Sequence, residues 1–361
     1  MRNKKFALKF VAISAVSLAL LTFNWDRVEM ENRAFVVVMG IEAGEGDKTS
    51  FSVYLSVVDA PALENGGEDA PKLLYQAEGA SLSHALSQAG GGMSDRLYYG
   101  HTKAIVIHKD ALENPRMVRE IADTLSQKGE INIRTIVMAT DKPVSEILQT
   151  KPKGGNLLGT YLSNYFGGDG ANVASLAIKA DLEGFDASLR RDGTAVLPKI
   201  TLEGGGDGKE INIGGIFALK NFAYIDSIPE ELLAGQIWVK ENAGGMELVL
   251  DDHTALQIIR SRPKITFAMG GDNLICHVKI QATGNLVGLH SLRNNSELNA
   301  DFTKKIESQI TTTHGLFQYM GVDGLMLTET LHKKYPNIPL QPIEKITIIP
   351  EIHLEIKAHG S

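Results

Sequence analysis

Cysteine is nearly missing: Cys276 is the single one in 361 residues, which excludes an internal disulfide and any multi-cysteine zinc site. An excess of positive charge is missing as well. The net charge of −7 leaves no surplus of Lys and Arg to neutralise phosphates, so no nucleic-acid partner is expected. Phosphate-cradling loops are absent. In "EGGGDGKE" (203–210) Glu203 stands where a Walker A loop has its first glycine and Glu210 would repel phosphate, so the stretch reads as a hairpin. "GGDG" (167–170) lacks the GxGxxG spacing and follows a helical stretch instead of a strand. Neither HExxH nor GxSxG occurs. These absences predict no cofactor, no metal and no enzymatic activity.

What is there begins at the N-terminus. Arg2, Lys4, Lys5 and Lys9 form a basic region, and Phe10 to Phe23 then runs without a charge, the length of a signal-peptide apolar segment. A membrane span of ~20 residues is reached from Phe6 to Trp25 only if Lys9 snorkels to the inner interface. Positive charge ahead of the run places the remainder of the chain outside the membrane. Ala15-Val16-Ser17 is a weak cleavage site, so residues 1–24 read as an uncleaved anchor.

The remaining pattern predicts a mixed α+β protein of several domains, three by this reading, with mainly antiparallel or mixed sheets. Residues 33–42 and 49–58 read as a β-pair; 103–108 and 133–140 read as strands around a helix near 114–128. A helix at 142–150 is expected with Asp141 as its cap, and further helices at 155–166 and 171–182. A glycine-rich hairpin near 193–225 separates an N-terminal part, 25–195, from a C-terminal α+β part, 210–361. In the second part, Leu298, Phe302, Ile306, Ile310, Phe317 and Met320 recur at helical spacing and predict one long helix near 298–320. A shorter helix, 323–335, and a closing strand follow.

Candidate chemistry is sparse. Asp251-Asp252-His253 could lend two ligands to a metal, but a turn or cap before "TALQII" is the better reading. Cys276 and His277 are strand neighbours and face opposite sides, so they form no nucleophile–base pair. His101 has no carboxylate or nucleophile at a telling spacing.

Four stretches carry a resemblance: Trp25-Asp26-Arg27-Val28-Glu29 before "NRAFVVVMGIE"; "RLYYGHTKAIVIHKD" (96–110); "GGIFALKNFAYIDSIPEELLAGQIWVKEN" (214–242); and "GVDGLMLTETLHKKYPN" (321–337). In this order they resemble the Ger(x)C family, the C subunits of bacterial spore-germination nutrient receptors. The resemblance implies a lipoprotein-like protein on the outer face of the spore inner membrane, working with A-type and B-type membrane subunits in the response to nutrient. It implies no enzymatic activity, and nutrient contact only indirectly. Asn24 stands where the family carries its lipidated cysteine, so acylation is excluded and attachment must come from residues 6–23 or from the partner subunits. Trp25, Asp26 and Glu29 are the candidates for partner or membrane contact. Arg96, Tyr98, Gly100, His101, Asp323, Tyr335 and Pro336 are family-motif residues expected to be structural. The alternative is a membrane-anchored solute-binding protein that delivers a small molecule to a transporter.

Overall fold

Strand β1 (Arg33–Ala43) is apolar and β-branched along most of its length and is buried on both faces, which makes it a central strand. It pairs antiparallel with β2 (Phe51–Asp59), whose other neighbour is β3 (Leu73–Gly79). On its other side β1 runs parallel to β4 (Arg96–Tyr98) and β5 (Ala104–His108). The sheet continues through β6 (Ile136–Thr140), β7 (Ala195–Glu203), β8 (Glu210–Lys220) and β9 (Ala223–Ile228), in the order β3-β2-β1-β5-β6-β7-β8-β9. The computed structural model describes residues 33–46, 49–59, 73–91, 95–153, 157–167, 178–204, 209–240, 243–270, 273–287, 293–338 and 341–357.

One face of this mixed sheet is covered by α1 (Leu82–Gly91), α2 (Lys109–Leu112), α3 (Pro115–Gln127) and α6 (Leu182–Asp192). The other carries α4 (Val144–Gln149) and α5 (Leu158–Gly167). A second sheet has the order β10 (Glu247–Val249), β11 (Ala255–Gly270), β12 (Asn273–Val287), β13 (Ile346–Lys357). Every second residue of β12 from Leu274 to Leu286, Gly284 included, turns inward under α8 (Asn295–Met320), the long helix expected from its spacing. Helix α7 (Ala234–Lys240) and α9 (Leu327–Lys334) complete this core around Trp238, Phe302 and Phe317. The chain is thus a mixed α+β protein.

Strand β8 belongs to both cores. Phe217 and Leu219 face the first, while Ile216 and Ala218 face the second. Alternation along one strand therefore ties the two halves through a shared layer.

Three local expectations are corrected. Residues 178–180 are not helical; helix α6 starts only after Asp181, whose Oδ1 accepts the Gly184 N–H at 2.9 Å (171–177 lie outside the described residues). Asp141 does not cap α4. It ion-pairs with Lys199 at 2.8 Å, and the Val144 N–H is met by Glu42 Oε1 at 2.6 Å, a carboxylate 102 residues away in sequence. The helix expected over 323–335 begins at Leu327 instead, because Met326 sits in the left-handed region and Asp323 is free to reach forward as an acceptor.

Candidate functional site

Arg96, Tyr98, Gly100 and His101 fall together in one structural feature. Strands β4 and β5 lie against the same side of β1, at Arg33–Phe35 and Val38–Ile41, and residues 99–103 bulge out between them. The bulge is pinned by backbone and hydroxyl contacts. Lys103 N–H donates to Val37 O at 2.9 Å, Thr102 Oγ1 to Val36 O at 3.3 Å, and Thr135 Oγ1 to Thr102 O at 3.0 Å. On the face away from the main core, Tyr98 meets Phe35 edge-on with ring centroids 5.7 Å apart, and His101 meets Phe35 at 5.0 Å. The Arg33 guanidinium lies 5.2 Å from the Tyr98 ring centroid. His101 is exposed, yet partial burial of its ring and the neighbouring Lys103 charge hold its pKa below the usual histidine value. Gly100 leaves room for the Tyr98 phenol, since a Cβ there would come within 2.4 Å of Oη.

Asp323, Tyr335 and Pro336 lie elsewhere, around α9. Asp323 is only 9% exposed, and both of its carboxylate oxygens accept hydrogen bonds. Its Oδ1 takes the Leu327 N–H at 2.8 Å; its Oδ2 takes the Thr328 N–H at 2.8 Å and the Thr328 hydroxyl. Tyr335 closes the same helix and packs edge-on against Phe267, and Pro336 follows it. Asp323 also borders two clefts at the joint between the halves. The first, of about 350 Å³, lies between Arg134 and Asp181 on one side and Gln236, Lys240 and Met326 on the other. The second, of about 360 Å³, is flanked by Asp192, Lys220 and Glu344.

Nucleophilic chemistry finds no support at Cys276. Burial, and then the Asp323 charge, push its thiol up to about 12. His277 points outward to Glu351 at 3.3 Å. His314, on α8, is buried with Nε2 2.8 Å from Ile346 O, and burial holds its pKa below the usual range. Asp252 accepts the Thr254 N–H at 3.0 Å in the turn between β10 and β11, and Arg293 reaches it at 3.4 Å. No metal-binding group of three or more His, Cys, Asp or Glu occurs among the described residues. Asn24, Trp25, Asp26 and Glu29 lie outside the described residues, and among those described no helix is long and apolar enough to cross a membrane.

Arg33 and Phe35, absent from the sequence reading as site residues, are brought to Tyr98 by strand register alone. No spacing along the chain announces that contact.

Comparison with known proteins places both halves. A family model described as the spore germination protein N-terminal domain matches residues 26–202, and one described as spore germination B3/GerAC-like, C-terminal, matches residues 214–360. Spore germination protein KC of Bacillus subtilis (strain 168) is 25% identical over 137 residues; that match spans 36% of this chain and 33% of the relative. The crystal structure of the GerBC protein shares the fold with a TM-score of 0.55, at 11% identity, covering 88% of this chain and 96% of that one.

Proposed function

The chain belongs to the Ger(x)C family of spore-germination proteins, and from that premise we propose that it is a non-catalytic, extracytoplasmic subunit of a membrane germinant receptor. It works beside an A-type and a B-type membrane subunit at the spore inner membrane, and residues 1–24 hold it there as an uncleaved anchor. Nutrient binding elsewhere in the assembly biases a two-state equilibrium that this subunit stabilises or transmits. The observation that carries the reading is the ordered match of both halves of the chain to spore-germination domains. The division of labour follows the sequence division: 25–195 as the part nearest the anchor and 210–361 as the distal part, with Trp25, Asp26 and Glu29 as contacts to partner or membrane. Of the motif residues, Tyr98, Gly100, His101, Asp323 and Tyr335 are assigned scaffold roles, consistent with the ring contacts, close approach and capping bonds around them.

The test is a detergent pull-down of this protein from purified spore inner membranes, with partners identified by mass spectrometry. Recovery with one A-type and one B-type subunit is the expected result. Absence from spores, or recovery alone from growing-cell membranes, overturns it. The solute-binding alternative has one feature in its favour, the cleft of about 350 Å³ beside Gln236 and Lys240. It requires micromolar binding of a small molecule by the purified chain, which calorimetry reads directly.

A further inference from the structure

Arg33 and Arg96 are register partners on parallel strands, and register partners project from the same face of a sheet. Like charges set directly opposite are destabilising unless something neutralises them. Among the described residues neither guanidinium is ion-paired, whereas Arg190 and Arg293 each engage at least two carboxylates. Protecting a sheet edge with charge does not account for Arg33, because β1 is a central strand. The Arg33 guanidinium lies against the half-buried Tyr98 ring, which in turn meets the exposed His101 ring, amphipathic groups suited to a boundary between water and lipid. The location has a second property. Phe23 ends the apolar N-terminal run ten residues before Arg33, so at ~3.4 Å per residue the pair is tethered within about 34 Å of that run's end.

We infer that the Arg33–Arg96 pair is a docking point for the phosphodiester headgroup of an anionic phospholipid. Guanidinium forks match phosphate oxygens bidentately, and a single bridging phosphate would neutralise both arginines at once. The inference rests on the membrane reading above, and it adds a second attachment that orients the N-terminal half on the bilayer.

The test uses the full chain with nanodiscs of phosphatidylcholine, alone or mixed with phosphatidylglycerol. Hydrogen exchange of residues 96–103 is read together with co-flotation. Phosphatidylglycerol is expected to slow exchange there, less so at high salt. Arg33→Gln and Arg96→Gln each cut the phosphatidylglycerol-dependent affinity about fivefold, and the double variant abolishes the protection. A double Arg→Lys variant, which keeps the charge, verifies that folding is not the cause. Equal flotation and equal exchange on both nanodiscs overturn the headgroup site and leave the anchor standing. Binding only to phosphatidylglycerol discs supports the site and sinks the anchor. Three results assign the pair to another anion and overturn the inference: protection by inorganic phosphate without a bilayer, protection only when the membrane subunits are added, or protection of the free chain that Glu29→Gln with Glu31→Gln removes.

Discussion

Replacing Asp323 by alanine strands three donors at once: the N–H groups of Leu327 and Thr328, and the Thr328 hydroxyl. Leu327 is fully buried and Thr328 is 5% exposed, so neither amide recovers its hydrogen bond easily from bulk water. Each buried donor left unsatisfied costs about 1–3 kcal/mol, and loss of a helix cap alone costs about 0.5–2 kcal/mol. The two clefts beside Asp323 can admit water and lower the cost, which sets the expectation for Asp323→Ala near 3 kcal/mol. Spread over the unfolding entropy of all 361 residues, that corresponds to a fall in Tm of roughly 4 °C. Urea unfolding followed by the fluorescence of Trp238 is the assay. That indole is fully buried in the same core, and a Trp25→Phe background makes it the sole tryptophan. Thr328→Val removes only the hydroxyl contact and is expected to cost about 1 kcal/mol. Because the two residues share one bond network, the double variant should be milder than the sum of the singles. An Asp323→Ala protein within about 1 kcal/mol of the parent would refute the capping account, since no reading of three stranded donors yields so little.

Gly235→Ala places a Cβ 2.3 Å from the Gln309 carbonyl oxygen, a backbone atom of α8 that cannot swing aside, so a loss of at least about 2 kcal/mol is expected from denaturant curves. Gly100→Ala drives the Tyr98 ring out of its contact with Phe35 and His101; faster hydrogen exchange across residues 96–103 at little cost in global Tm is the expected signature. His314 binds a proton less readily folded than unfolded, because burial disfavours the charged ring. Its contribution is therefore complete above the ordinary value of 6.5 and is lost as pH falls below it, so the urea midpoint should drop between about pH 7 and 5 and His314→Gln should flatten that drop. A residual slope is expected from His101, whose pKa is shifted in the same direction. Asn24→Cys should incorporate a labelled lipid precursor if the rest of the signal is intact; no incorporation would mean that the segment no longer serves a lipoprotein peptidase.

The parts of the fold that follow from local periodicity were readable in the residues. Helix α8 announces itself through an apolar face at three- and four-residue steps, and β1 with β2 as a pair of short apolar and alternating runs. What escaped reading depends on residues far apart in sequence. Glu42 caps α4 across 102 residues, a role that propensity assigned to the nearby Asp141 because only local acceptors can be weighed in a sequence. Helix α6 was missed because its cap, Asp181, lies inside the stretch assigned to a preceding helix. The motif around Tyr98 was visible as a motif, but its physical content was not. Nothing in "RLYYGHTK" states that Arg33 will stand beside Arg96, or that residues 99–103 bulge from an interrupted strand.

The shared strand β8 gives these separate features a common consequence. The aromatic bulge sits at the end of β1 where the chain enters the sheet, and Asp323 sits where the C-terminal half meets α6 and β7. Between them the large sheet narrows to one registered pair, Ala139 with Lys199, before β7 hands on to β8. Phe217 and Leu219 then bury into the first core while Ile216 and Ala218 bury into the second. Close-packed cores do not deform continuously, so a shift of β8 large enough to matter on one side must be accommodated on the other. A change of state at the β1 end of the large sheet therefore has a mechanical route to the C-terminal half. That route runs through packed side chains, which is what the proposed receptor role would need.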